Sequence, residues 1–186
     1  MKLSRGGGRG PRAGAGPGSA SPGGARLRLR QGRPADMPTL RKLILEERMN
    51  PLFLGGGERF IVASMEAGGA GEGQLLGGGQ IRAIGPPGGG AGEVASVVVR
   101  AGYRRQGVGG RILDELLRRN AEDEEGFRDL FLLTTGAGAD FYRRRGFEAV
   151  GAAALPASLR AEQALGSLVA RLARGETCVA MRLPAD

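Results

Sequence analysis

The sequence contains no histidine. That absence excludes an imidazole general base, a Ser/His/Asp triad and histidine-ligated zinc. Cys178 is the single cysteine, so no disulfide can close within the chain and a cysteine-rich zinc site is excluded as well. Cys178 itself reads as a small, buried apolar side chain. No stretch approaches the roughly 18 consecutive apolar residues needed to span a bilayer, so no membrane partner is expected. Acid–base chemistry must therefore come from carboxylates, tyrosine, lysine or water.

What is present is enough length and apolar content for one core: 186 residues, 41% of them apolar. Charge is unevenly placed. The chain carries 27 Lys and Arg against 19 Asp and Glu, a net +8. Residues 1–33 hold Lys2, Arg5, Arg9, Arg12, Arg26, Arg28, Arg30 and Arg33 and no acid, which leaves 19 basic against 19 acidic residues in the remainder. The high pI belongs to the N-terminus, and the rest of the chain is not expected to bind nucleic acid. Residues 1–25 are rich in Gly, Ala, Ser, Pro and Arg, without apolar periodicity, and read as a disordered basic tail. An acid-free, Arg-rich N-terminus of this kind resembles an organelle transit peptide, plastid ahead of mitochondrion. A plain tail on a cytoplasmic protein is the alternative.

From Arg26 the chain alternates strand and helix signals. Strands are expected at Arg26–Gln31, Phe60–Ala63, Leu75–Ile84, Val94–Val99, Leu130–Thr134, Phe147–Val150 and Val179–Leu183. Helices are expected after Asp36, which can cap one, over Arg111–Asn120, over Ala139–Arg145, and around Leu159, Leu165, Leu168, Val169 and Leu172. Gly146 can supply a left-handed helix stop. Glu122–Glu125 reads as a solvated helix end. The order implies one α/β domain over 26–186 with a mixed central sheet of about seven strands. The glycines at 77–79 are expected to weaken the third strand; the glycine runs at 55–57, 77–79 and 88–90 are otherwise compatible with compositional bias.

The informative stretch is Glu93–Arg111. A valine-rich strand runs into a turn punctuated by Gly107 and Gly109, and the turn opens an amphipathic helix. Glycines let a backbone approach a ligand, and a helix N-terminus offers unpaired N–H groups with a partial positive charge. With Arg104 and Arg105 beside it, the turn has the makings of a pyrophosphate site. The Gly-Lys-Ser/Thr ending of a Walker loop is absent, and Ile112 stands where the dinucleotide fingerprint needs its third glycine.

The stretch Arg104-Arg-Gln-Gly107-Val-Gly109 matches the Gln/Arg-x-x-Gly-x-Gly/Ala signature of the GNAT N-acetyltransferases. Downstream, Ala139-Asp-Phe-Tyr142-Arg-Arg-Arg-Gly-Phe147 is similar to the family's second signature. The resemblance covers roughly residues 26–183. It implies an acetyl-CoA-dependent N-acetyltransferase with a V-shaped split between the fourth and fifth strands. Val97, Val98 and Val99 would pair with the pantetheine arm. Arg104, Arg105, Gln106, Gly107, Val108, Gly109 and Gly110 would hold the pyrophosphate, and Thr135 would line the other wall. An asparagine often found near Thr135 in the family is missing. Tyr142 matches the family's proton donor to the leaving thiolate, and Glu93, fourteen residues before Gly107, is a candidate base acting through water. No metal is implied. Tyr103 is expected to pack under the phosphate loop.

The resemblance implies a protein or peptide amine as acceptor, an N-terminal α-amine or a lysine. Arg48-Met-Asn-Pro-Leu52 is similar to plant and cyanobacterial plastid members. A small amine or amino acid is the alternative acceptor, because Leu132–Thr135 followed by Phe141-Tyr142 also resembles small-molecule acetyltransferases. A non-catalytic acyl-CoA sensor is a further alternative.

Overall fold

The computed structural model describes residues 26–49, 51, 54–66, 73–85, 90–164 and 177–184. The basic tail, Asn50 and Leu52, Gly88 and Gly89, and Leu165, Leu168, Val169 and Leu172 of the expected last helix lie outside the described residues.

The elements follow the alternation of the sequence: β1 (Arg26–Gln31), α1 (Met37–Glu46), β2 (Phe60–Glu66), β3 (Gln74–Ala83), β4 (Ala91–Val99), α2 (Val108–Glu122), β5 (Asp129–Thr135), α3 (Gly136–Arg143), β6 (Glu148–Val150) and β7 (Cys178–Leu183). Residues 157–164 are also helical. One seven-stranded sheet runs in the order β1-β2-β3-β4-β5-β7-β6. All neighbours are antiparallel except β4 and β5, which run parallel. The valine-rich β4 is the central strand, as expected for a strand buried on both faces.

Helices cover both faces. On one, Val108, Ile112 and Leu116 of α2 pack on Ile61, Ala63 and Leu76, while Leu113 joins Val94, Leu132, Phe147 and Met181 with Ala139 of α3. On the other, Leu40, Leu43 and Ile44 of α1 pack on Phe60, Val62 and Val98, and Leu155 and Leu159 cover Phe131 and Ala180. These are the apolar positions at helical spacing in the sequence.

Two expectations need correction. Asp36 precedes α1 but does not cap it through its side chain. Its carboxylate instead accepts from the Arg33 N–H at 2.7 Å and from Arg30 on β1 through two hydrogen bonds of 2.7 Å. The Arg30 guanidinium holds this carboxyl below the usual range, because bidentate charged bonds outweigh its desolvation. Cys178, in turn, is half-buried rather than buried.

The glycines of β3 do not break the strand; they let its neighbours close in. An added Cβ at Gly78 would stand 2.9 Å from Leu40 Cδ2 of α1, and one at Gly79 would stand 3.2 Å from both Ile112 Cγ2 and Leu116 Cδ1 of α2. At Gly77 the added carbon would overlap the Val98 carbonyl oxygen, a backbone atom that cannot turn away. Gly77→Ala is therefore expected to cost about 2–3 kcal/mol, the upper range of overpacking, read as a lower denaturation midpoint. An unchanged midpoint would show that β3 and β4 can part without penalty.

Candidate functional site

The site grows from a mismatch between β4 and its two neighbours. On the β3 side the register passes from Gly78↔Val98 to Gln80↔Ala95, so two steps on β3 face three on β4. The extra residue makes a β-bulge, and Ser96 adopts φ 56°, a conformation rare outside glycine. The bulge reverses side-chain parity. Gly92 and Val94 face α2 before it, whereas Val97 and Val99 face α2 after it. On the β5 side, pairing runs only from Ala91↔Asp129 to Glu93↔Phe131. Beyond Phe131, β5 pairs with β7 alone, up to Thr135↔Cys178. The two central parallel strands thus part after three residue pairs, and a V opens between Val94–Val99 and Leu132–Thr135.

Backbone alternation decides which groups face the V. The Arg100 N–H donates to the Leu76 carbonyl on β3. Strand groups alternate sides, so Val98 also turns to β3, while Val97 and Val99 present their N–H and C=O groups to the cleft. Val98 is paired with Gly78, and its side chain belongs to the α1 core.

At the C-terminal end of β4 the chain makes a short turn through Ala101–Tyr103 and enters the glycine loop. Arg105 (φ 59°) and Gly107 (φ 81°) are both left-handed, and Gly107 is the N-cap of α2. Such turns point successive N–H groups into one concavity, an anion-binding nest at the positive end of the helix. The left-handed φ explains the glycine at 107. At Gly109 an added Cβ would meet nothing closer than Val99 Cγ2 at 3.4 Å. Protein packing therefore does not demand glycine there, and the space in front of the helix end is open to a ligand. A pyrophosphate fits this loop by charge, by donor geometry and by room.

The remaining loop residues divide by role. The Arg105 side chain is exposed. Gln106 folds back, its Nε2 donating to the Gly102 carbonyl at 2.9 Å. Val108 is buried in the α2 core. Gly110 is buried too, and an added carbon would collide with the Arg145 guanidinium. Arg145 pairs with Asp114 of α2 and lies 4.7 Å from the Phe141 ring centroid, so it clasps α3 to α2. Arg104 leans the other way. Its Nε donates to the cleft-facing Val99 carbonyl at 3.1 Å, and its guanidinium pairs with Glu47 beyond α1. Tyr103 packs against the α2 core and donates to Gln74 Oε1 at 3.1 Å.

Across the V, Thr135 is the N-cap of α3 and is half-buried. Tyr142, on the following turns of α3, packs against the apolar cluster that also borders Val97. Its ring meets Phe141 at 4.8 Å and Phe147 at 5.9 Å, both edge to face. Among the described residues its hydroxyl has no hydrogen-bond partner. Burial pushes the phenol up to about 12, against a small opposing pull from Arg145. Tyr142 therefore stays protonated throughout the physiological range.

Glu93 occupies the last β4–β5 pair before the strands part, on the face away from α2. It is 6% exposed. Arg82, its register partner on β3, lies 2.5 Å away. No N–H is aimed squarely at the buried Glu93 Oε2, yet the 2.5 Å contact with Arg82 still draws the carboxyl down. Arg82 Nη2 donates instead to both carboxylate oxygens of Glu162, at 2.8 Å each, from the helical segment 157–164. Burial raises Glu93 to about 7, opposed by Arg82 and reinforced by the negative charge of Glu162. Neither Arg82 nor Glu162 was legible as part of the site, because one is placed by strand register and the other by a helix packing 80 residues later.

Residues 56–149 match the family model described as the acetyltransferase (GNAT) domain, which is half of the chain. No curated protein sequence matches the chain. Among solved structures, N-acetylglutamate synthase from Neisseria gonorrhoeae, complexed with coenzyme A and N-acetyl-glutamate, is similar at 22% identity and TM-score 0.63 over 86% of this chain. The chain spans only 36% of the length of that synthase. A Mycobacterium tuberculosis protein in complex with CoA is similar at 22% identity and TM-score 0.64, over 86% of this chain and 99% of that one. A ribosomal-protein alanine N-acetyltransferase from Escherichia coli is similar at 16% identity and TM-score 0.56, over 87% and 95%. At these identities the structures speak for the fold. With the family match across the cleft, the glycine loop and α3, they lead to one conclusion: the chain belongs to the GNAT acetyltransferase family.

Proposed function

We propose that the chain transfers the acetyl group of acetyl-CoA to a primary amine carried by a protein, an N-terminal α-amine or a lysine side chain. The observation that carries the acceptor class is the charge on the face of the V opposite α2. There Arg82 is shared between two carboxylates, Glu93 and Glu162. Arg82 balances Glu162, so the group is negative to the extent that Glu93 is ionised and has no spare cation for a substrate carboxylate, which suits an amine with no carboxylate beside it.

Acetyl-CoA supplies an acetyl thioester. The nest of Arg105 and Gly107 with the N-terminus of α2 would hold its pyrophosphate, and the cleft-facing amides of Val97 and Val99 would pair with its pantetheine arm. Arg104 would have to give up the Val99 carbonyl for that pairing. An N–H near Val97 would stabilise the carbonyl oxygen as charge develops there. Glu93, poised near neutrality, would take the proton of the incoming ammonium, directly or through water. Tyr142 would donate to the departing sulfur. Full transfer from a phenol at about 12 to a thiolate whose conjugate acid is near 8.5 costs about 5 kcal/mol. The raised phenol therefore favours a strong hydrogen bond over complete proton transfer; as the C–N bond forms and the C–S bond breaks, the second proton of the amine nitrogen would pass to the departing thiolate, giving the amide and the free thiol.

A second acceptor class, free amino acids, is supported by the similarity to N-acetylglutamate synthase. The test is acetyl transfer by the full chain to a peptide library with varied N-termini and internal lysines, with free amino acids and polyamines in parallel. Acetylated peptides are expected; acetylation of free amino acids alone would establish the second class. Tight acetyl-CoA binding without any acceptor would point to a sensor.

Gly109→Glu places a carboxylate in the open space before the helix and is expected to abolish acetyl-CoA binding by calorimetry; wild-type affinity would remove the loop from the site. Tyr142→Phe is expected to lower kcat by about 10²–10³-fold, the range for removing one hydrogen-bond donor to developing charge, with acetyl-CoA affinity nearly intact. Unchanged turnover would take Tyr142 out of the mechanism.

A further inference from the structure

Among the described residues, the segment between β6 and β7 reaches the Arg82–Glu93 pair through Glu162. Glu162, on the helical segment 157–164, approaches Arg82 from above the sheet, and Glu93 approaches it from the neighbouring strand. All three are largely withdrawn from water, with side-chain exposures of 26% for Glu162, 11% for Arg82 and 7% for Glu93. The sharing is unequal. Glu162 receives both hydrogen bonds from Arg82 Nη2. Glu93 lies 2.5 Å from the same Nη2 without an N–H aimed squarely at it, so it shares the cation's pull while Glu162 takes the two directed bonds.

That inequality matters for a base. A carboxylate locked to a guanidinium by well-formed charged hydrogen bonds is a poor proton acceptor, because protonation would break them. A carboxylate beside a cation whose directed bonds go elsewhere keeps more of its basicity. We infer that Glu162 is a positioning residue, which draws the Arg82 donors to the helix side and leaves the Glu93 carboxylate available to the acceptor amine. This rests on the proposed role of Glu93 as base.

Among the described residues, the other charges that face Glu93 are these. On β5 its pair partner is the apolar Phe131. One strand further on, Arg182 of β7 lies 5.9 Å from the Phe131 ring centroid and is paired with Asp129. On β3, Arg82 faces it, and from the helical segment Glu162 does so through Arg82. Removing the charge of Glu162 should turn Arg82 onto Glu93 and lower its proton affinity, in line with the direction in which Glu162 acts on it. A mere staple between helix and sheet would alter stability and leave the Glu93 titration where it was.

The experiment is a carboxyl 13C NMR titration of the free full-length chain labelled at glutamate, with the Glu93 signal assigned by its loss in Glu93→Gln. The midpoint is expected near 7 in the unsubstituted chain and at lower pH in both Glu162→Gln and Glu162→Ala, with Glu162→Asp, which keeps the charge, remaining closer to the starting value. Parallel kinetics should show the acid limb of kcat/KM moving the same way and the plateau falling by about threefold to tenfold, as a weaker base gives a slower proton transfer, while acetyl-CoA affinity holds. An unmoved midpoint in folded Glu162→Gln or Glu162→Ala protein overturns the inference. A midpoint that moves while the kinetic limb stays, with Glu93→Gln equally active, supports the hold of Glu162 on Glu93 and removes Glu93 as the base.

Discussion

The structure turns on the point where β4 stops pairing with β5. A buried strand that loses its neighbour exposes backbone N–H and C=O groups that must find other partners. Here that loss begins right after Glu93↔Phe131, in the middle of the sheet, between its only two parallel neighbours. The bulge at Ser96 makes the divergence possible, because an added residue bends a strand and increases its twist. It also returns Val97 and Val99 to the α2 face, so the cleft has an apolar wall where the strand leaves the ladder. The free backbone edge is the feature that a pantetheine arm, itself a chain of amides, can complete.

The surrounding elements are arranged to hold that cleft open. The glycines of β3 let α1 and α2 press closely on the sheet beside β4. Arg145 clasps α3 to the first turns of α2 and so ties the Tyr142 wall to the phosphate loop. Arg104 ties the same loop to Glu47 beyond α1. The loop is therefore anchored from both sides of the V, which keeps its N–H groups aimed without a ligand to organise them.

Electrostatics set the two candidate proton-transfer groups apart. Glu93 and Tyr142 are both raised by burial, yet with opposite consequences. A carboxylate brought to about 7 is able to exchange a proton near neutrality, whereas a phenol brought to about 12 is fixed in its donor form. In a chain without histidine, burial gives one candidate acceptor and one candidate donor from ordinary side chains.

Most of the architecture was legible before the fold was known. Alternation in Arg26–Gln31, the apolar spacing of Val108, Ile112 and Leu116, and the glycine turn after the valine strand are local signals, and local signals determine strands, helices and the phosphate nest. Gly107 stands where the chain turns left-handed, and Gly109 leaves open space before the helix, each of which favours the absence of a side chain. The sequence did not disclose why Gly77–Gly79 sit in a strand, since their reason lies in helices on both faces. Nor did it reveal the Ser96 bulge, the partnership of Asp36 with Arg30, or the Glu162–Arg82–Glu93 group. Those depend on register and on contacts between residues far apart in the chain. By itself, then, the sequence determined the order of elements and the chemistry available at the loop, because these follow from periodicity and residue type. Only the tertiary structure decided how deeply Glu93 is buried, which charges surround it and how strongly it holds its proton, because burial and neighbouring charge exist only once the chain has folded.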